Sequence, residues 1–272
     1  MKKIIALFFM LASFCFAKEY KRIVIMAPSM FEVACLLNVE ERVVGLGQLG
    51  GKEIYPVEKS KNVTRVGNAF RPSVEKIMAQ TPDLVIVNEG VNFPIDELTS
   101  RGINVVGVST QRIDDIFNNI ENFGKLVGKE KEAAEVIASS KAKLANIKKI
   151  DNGELKGIFI YSTNPLMAFP DKSLPGDILN VLGVKNIGAD LIGGRPVISP
   201  EFILKENPDF IVGIMTVDSV KTLEDAIPML EHTNAGKNHD VFIFDAELIY
   251  RNSPRMLEGV EELAKRLEKI KK

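Results

Sequence analysis

The sequence predicts an α/β fold of two similar lobes with mainly parallel sheets, joined by a single long α-helix. Three observations point there. Residues 66–87, VGNAFRPSVEKIMAQTPDLVIV, align without a gap with residues 192–213, IGGRPVISPEFILKENPDFIVG. Gly67 falls on Gly193, Ser73 on Ser199, Glu75 on Glu201, and Pro82-Asp83 on Pro208-Asp209. Copies this far apart exceed the period of a solenoid, about 20–50 residues, and read as one device in each of two lobes. Short β-branched runs also alternate with amphipathic stretches in both halves, the pattern of a parallel sheet wound with helices. Finally, residues 111–150 carry no strand signal. From Glu130 onward, apolar or small residues recur at 133, 136, 137, 140, 144 and 147, which is a helical stripe.

Residues 1–17 stand apart from this pattern. Met1-Lys2-Lys3 precedes an apolar run over 4–16, shorter than the about 20 residues of a membrane span. A basic start, a short apolar core and the small Ala17 read as a secretory signal peptide cut after Ala17. Cys15 suggests a lipid anchor instead, but bulky Phe14 precedes it where a small residue belongs. The lobes then take residues 18–110 and 151–272, with residues 111–150 as the helical linker. The chain is long enough to give the two lobes separate cores.

In the first lobe, Ile23-Val24-Ile25-Met26 predicts a strand feeding a helix over 30–37, and Val43-Val44 opens a second strand. Glycines 45, 47, 50 and 51 predict a loop from there to residue 65. The first repeat copy predicts a glycine loop, a helix over 73–80 that stops before Pro82, and a strand over 84–87. That strand is apolar throughout, as one covered on both faces should be. A helix over 94–101 and a strand over 103–108 close the lobe. Asp151-Asn152-Gly153 predicts the turn into the second lobe. There the expected elements are strands over 157–161, 210–214 and 241–244, helices over 173–182 and 200–205, and a last amphipathic helix from Glu258. Ser199 is the expected N-cap and Pro200 the first helical residue.

Cleavage lowers 35 basic side chains to 33 against 36 acidic ones, a formal charge of 33 − 36 = −3. A mildly acidic surface argues against nucleic acid or an anionic membrane as partner. One cysteine remains, Cys35, in the apolar run Val33-Ala34-Cys35-Leu36-Leu37. No internal disulfide is then possible, and a buried, inert thiol is expected.

Ligands of open parallel sheets meet the loops beyond the carboxyl ends of the strands. Those loops carry Asn68, Phe70, Arg71, Met167, Phe169, Arg195, Met215, Tyr250 and Arg251. Arginine's planar fork suits carboxylate, catecholate or phosphate oxygens and stays charged. The aromatic and methionine side chains supply an apolar, adaptable wall. Together they predict a pocket for a bulky, partly apolar anion; the plainer alternative is that each arginine pairs with a nearby surface acid. Glu75 and Glu201, at equivalent places in the two lobes, offer matched charges to a two-fold partner. Each is equally an acid favoured in the first turn of a helix.

Other chemistry lacks support. His232 and His239 have no metal-ligand spacing, and the sequence contains no HExxH, CxxC, GxSxG or Walker-type loop. No catalytic residue, resident metal or intrinsic cofactor is expected, which leaves an exported metal-dependent enzyme as the weaker alternative. Gly45-Leu46-Gly47-Gln48-Leu49-Gly50 matches GxGxxG. No helix opens behind it, however, and the acid expected about 20 residues further on is missing, so it reads as a plain glycine-rich loop.

The two Pro-Asp segments, the helical linker and the terminal RNSPRMLEGVEELA run give the chain a family likeness. It resembles the periplasmic binding proteins of ABC importers for metal chelates (ferric siderophores, haem and cobalamin), the type with a helical backbone between its lobes. That resemblance implies a monomer in the periplasm, a ligand in the shallow cleft between lobes, and little hinge motion. It also implies that Glu75 and Glu201 dock on arginines of the permease dimer in the inner membrane, and that Arg195 and Arg251 face the chelate. The loop at 67–71 lacks the tyrosine with which many haem binders hold iron, and the chain has no tryptophan for the aromatic walls expected around cobalamin. The expected ligand is therefore a ferric siderophore, an Fe(III) chelate. Haem, cobalamin or a nickel or cobalt chelate are the alternatives.

Overall fold

The structure, a computed structural model, describes residues 19–150, 154–251 and 253–270. The expected signal peptide with its cut after Ala17, the turn at Asp151-Asn152-Gly153, and Asn252 lie outside the described residues. The first lobe runs β1 (Ile23–Ile25), α1 (Met30–Leu36), β2 (Val43–Gln48), α2 (Val57–Ser60), β3 (Arg65–Asn68), β4 (Arg71–Pro72), α3 (Val74–Ala79), β5 (Leu84–Asn88), α4 (Ile95–Thr99) and β6 (Asn104–Val108). Its strands lie in the order β4-β3-β2-β1-β5-β6, all parallel except the β3–β4 hairpin. Helices α5 (Ile113–Val127) and α6 (Glu130–Asn146) follow.

The second lobe runs β7 (Lys156–Thr163), β8 (Leu166–Ala168), α7 (Leu174–Val181), β9 (Lys185–Asn186), α8 (Pro200–Glu206), β10 (Phe210–Gly213), α9 (Val220–Ala226), α10 (Asn234–Lys237), β11 (Val241–Ile243), α11 (Ala246–Ile249) and α12 (Met256–Leu267). Its order is β11-β10-β7-β8, with β9 also paired to β7. Only β8 is antiparallel.

The repeat has a structural basis. Asp83 accepts hydrogen bonds from the amides of Lys21 and Arg22 at 2.9 Å each, and its own amide donates to the Arg22 carbonyl at 2.9 Å. Asp209 does the same for β7, accepting from the Lys156 amide and donating to the Lys156 carbonyl, both at 2.8 Å. Each Pro-Asp turn thus ties the incoming strand to the first strand of its lobe. Ser73 and Ser199 cap α3 and α8 by accepting from the amides of Lys76 and Phe202, at 3.3 Å in both copies, which satisfies one of the orphan donors of a helix start.

The loop expected from residue 45 to 65 is not what forms. β2 continues through Gly45 and Gly47, and α2 and the start of β3 follow. A Cβ on Gly45 would lie 2.8 Å from Val66 Cγ1, and one on Gly47 would lie 3.1 Å from Met26 Cα. Glycine here lets neighbouring backbone and side chains close in rather than making a turn. The GxGxxG run starts inside β2 and ends in a turn at Gly50 that opens no helix, the next one beginning only at Val57, so it offers no helix N-terminus to a phosphate.

The helical connection predicted over 111–150 is present, divided at Gly128, whose φ of 66° suits glycine. The two helices pack antiparallel: Lys141 Nζ sits 5.5 Å from the Phe117 ring centroid, and a Cβ on Gly124 would come within 2.6 Å of the Ala133 Cβ. α5 buries Ile113, Ile116, Phe117, Ile120, Phe123 and Val127 on one face. Its start is held to the second lobe by Asp177, which accepts from the Ile113 amide at 2.9 Å. Its end is held to the first, where Tyr20 donates to the Leu126 carbonyl at 3.0 Å and Arg42 to the Val127 carbonyl at 2.8 Å.

That placement corrects the expectation of separate cores. Val24, Val85 and Ile77 make a core private to the first lobe, and Ile158, Ile160 and Ile203 one private to the second. On the opposite faces of the same strands, Ile23, Ile25 and Phe159 belong to one cluster that runs from Phe31 through Ile116 and Phe123 to Leu179, Phe210 and Leu263. Alternating residues of a strand face opposite ways; α5 covers the layer that both lobes share.

Candidate ligand-binding site

The loops beyond the carboxyl ends of the two sheets meet directly. Lys52, past β2, lies 2.8 Å from the Glu247 carboxylate on α11. Arg255, at the head of α12, places Nε 3.1 Å from Glu32 Oε2 on α1, with its guanidinium 3.8 Å over the Tyr55 ring. Arg112, past β6, pairs with Asp177 on α7 at 3.0 Å. Opposed rims of this kind are where α/β proteins hold ligands.

On the first-lobe rim, Asn68 ends β3 and its Oδ1 accepts from the Phe70 amide at 2.8 Å. Asn68 also pairs with Arg71 across the hairpin. This tight turn throws Phe70 into solvent at 59% exposure, beside an exposed Arg71. In the second lobe, Arg195 lies exposed on a loop stitched to β8, where Ala168 donates to the Pro196 carbonyl at 3.1 Å and Ile198 to the Leu166 carbonyl at 2.9 Å. Its guanidinium stacks 4.2 Å over the Tyr161 ring. Met167 on β8 sits opposite Val197, and Met215 follows β10 with φ 62° and 45% exposure.

Three of the expected site residues behave differently. Phe169 is buried, packed edge-on against Tyr161 at 5.8 Å and tilted against Tyr250 at 6.1 Å; it supports these rings from behind. Tyr250 is correspondingly half-buried. Arg251 folds back on its own helix, hydrogen-bonding the Glu247 carbonyl and pairing with the Glu247 carboxylate at 2.9 Å. For Arg251 the plainer alternative of a nearby acid therefore describes the contact found, whereas the contact of Arg195 is an aromatic face.

Sequence reasoning passed over Glu32 and Arg255; Tyr55 entered it only as a tyrosine that, like Tyr250, could stand in for the missing haem ligand. Glu32 is only 5% exposed, and burial pushes its carboxyl upward against the pull of Arg255, the Ser253 hydroxyl and Arg251. The signal was available: one acid inside the apolar run Met30-Phe31-Glu32-Val33-Ala34. Cys35, on the same helix, is half-buried, and burial raises its thiol to about 11, as suits an inert cysteine.

Glu75 and Glu201 stand exposed in the first turns of α3 and α8. The Ser199 hydroxyl and the helix's own backbone hold the Glu201 carboxyl below the usual range. Among the described residues, no three His, Cys, Asp or Glu side chains gather as a metal site, and no helix is long and apolar enough to cross a membrane.

Comparison with known proteins agrees with this architecture. The periplasmic binding protein family matches residues 23–248. The uncharacterized ABC transporter substrate-binding lipoprotein YvrC of Bacillus subtilis is 35% identical over 91% of this chain and 80% of its own. The vitamin B12-binding protein of Vibrio parahaemolyticus is 24% identical over 93% of this chain and 91% of its own. Among solved structures, the periplasmic heme-binding protein RhuT of Roseiflexus superimposes with a TM-score of 0.79 at 22% identity, covering 94% of this chain and 100% of that one. With its doubly built lobes, its helical connection and a family match across nearly its whole described length, the chain belongs to the periplasmic binding protein family.

Proposed function

We propose that the protein captures a metal chelate, a ferric siderophore or a related complex, between its lobes and delivers it to the permease dimer of an ABC importer, with no covalent chemistry. The observation that carries this is the concentration of exposed apolar side chains on the loops at the facing rims: Leu49, Tyr55, Phe70, Ile192, Val197 and Met215. Arg195 and Arg71 stand among them as exposed cations. Apolar surface interleaved with arginine suits a large, partly apolar, anionic guest. Relatives named for vitamin B12 and heme support a chelate of that size.

In this reading Asn68, Phe70, Arg71, Met167, Arg195, Met215 and Tyr250 line the site. Arg251 acts through Glu247, which also pairs with Lys52. Glu75 and Glu201 offer one exposed carboxylate per lobe to the permease. The chain works as a monomer in the periplasm after removal of residues 1–17. Because YvrC is named a lipoprotein, a lipid anchor on Cys15 of this chain is the competing form of export, and the intact mass of the exported protein separates the two.

The test is native mass spectrometry of the protein with a ferric trihydroxamate, haemin and cyanocobalamin in turn. One of them should form a 1:1 complex, and Arg195→Ala should weaken it at least tenfold while leaving the fold intact. Binding of none, or parent-like binding by Arg195→Ala, sinks the assignment. A Glu75→Lys/Glu201→Lys variant should bind the chelate normally yet fail to stimulate the ATPase of the reconstituted importer.

A further inference from the structure

We infer that the Glu32–Arg255 pair is a clamp that fixes the separation of the two lobes and so positions the rim on which the ligand would rest. Arg255 opens α12, whose residues Leu257, Val260 and Leu263 are buried. Its target, Glu32, lies on α1, 223 residues back along the chain and in the other lobe. One guanidinium thus makes two inter-lobe contacts: an ion pair at 3.1 Å with a carboxylate that is 5% exposed, and a stack at 3.8 Å on Tyr55. A guanidinium bound through Nε to a carboxylate and at its face to an aromatic ring has little freedom left, although its buried Nη2 has no hydrogen-bond partner among the described residues. Tyr55 is 43% exposed, with Arg255 covering one side of its ring.

The clamp is reinforced by neighbours on the same loops. Lys52, three residues before Tyr55, pairs across the lobes with Glu247, which also holds Arg251. Ser253 is fully buried beside Glu32. The apolar core that both lobes share reaches the helices of the pair itself, through Phe31 on α1 and Leu257 on α12; apolar burial is non-directional, so it is the ion pair and the ring contact that would set one separation of the loops and resist rocking. A buried ion pair is weak as a source of stability but well suited to fixing one arrangement. This inference rests on the reading of the rims as the ligand site, but its test does not need a ligand.

The experiment uses spin labels at the exposed positions Arg101 and Lys221, one in each lobe, in a background with Cys15 and Cys35 replaced by Ser. Double electron–electron resonance then reads the distribution of inter-lobe distances. Glu32→Leu/Arg255→Met replaces the charges with apolar groups of similar bulk, which fold well where buried ion pairs do not supply stability. We expect the parent to give one narrow distribution and this variant one at least twice as wide, at a thermal midpoint near the parent's. Glu32→Gln, which keeps the shape of the side chain, should widen it less. A width unchanged in both variants overturns the clamp. Failure to bind any chelate would overturn the ligand reading and leave the distance result standing.

Discussion

Ser73 and Ser199 cap their helices through equivalent amides at the same distance, and Asp83 and Asp209 anchor the following strands in the same way. The stretches just before them diverge. Gly67 and Gly193 share a positive φ, 117° and 106°, yet the first closes a β-hairpin while the second opens a loop laid on β8. A Cβ on Gly67 would meet the Ser73 amide nitrogen at 3.2 Å, whereas Gly193 has nothing within 4 Å. What the copies share is the part that holds a helix, with its exposed glutamate, in a set pose on the sheet. What differs is the part that carries the residues proposed to meet the ligand. A two-fold docking partner needs identical halves, and an asymmetric small molecule does not.

The shared half carries the largest expected effects. Asp83→Ala removes an acceptor for two backbone amides, and Asp209→Ala one for the Lys156 amide and the Asn234 side chain at 2.8 Å. Hydrogen bonds to a charged group contribute about 1.5–3 kcal/mol each, and water can replace Asp83 at the exposed Lys21 and Arg22 amides, so Asp209→Ala should lose about 3 kcal/mol in urea unfolding and Asp83→Ala about 2 kcal/mol. Near-parent stability in one of them would mean that the two anchors are not equivalent.

Next come the glycines. An L-residue at positive φ costs about 1–2 kcal/mol, which is the expectation for Gly193→Ala, where space is free. Gly67→Ala adds crowding against the Ser73 amide and should exceed it by about 1 kcal/mol. Equal losses would show that the divergence of the two loops is superficial.

How much of this was legible follows the same division. The helix, the Pro-Asp turn and the buried strand were read from sequence because each carries its own local chemistry: a serine cap, a helix-stopping proline and an all-apolar run. β2 was cut short because glycines inside a crowded strand look like glycines in a loop until Val66 and Met26 are seen against them. The division of the linker into α5 and α6 was not legible, although α5 has its own apolar face at 113, 116, 117, 120, 123 and 127, because a lone glycine such as Gly128 occurs inside helices as well as at their ends. At the rims, residue type indicated Arg195 and Arg251 equally. Only three-dimensional proximity separates an arginine on a tyrosine face from one on Glu247. Arg255 was hidden for the same reason, since its partner lies in the other half of the chain.

The smallest effect concerns the carboxylate proposed to dock on the permease. Glu201 is fully exposed and its carboxyl is held low first by the Ser199 hydroxyl, then by the backbone of its own first turn. A carboxyl depressed in the folded state stays ionised as the pH falls past the unfolded value of 4.5, and its contribution is lost only on crossing the lower folded value. NMR titration of the Glu201 side chain should therefore give a midpoint below 4.5. In Ser199→Ala the helix loses about 1 kcal/mol of capping, and the midpoint should climb part of the way back, because the backbone contribution remains. A midpoint that does not move with the hydroxyl would assign the depression to the helix start alone. The serine would then serve the fold and leave the proposed docking charge untouched.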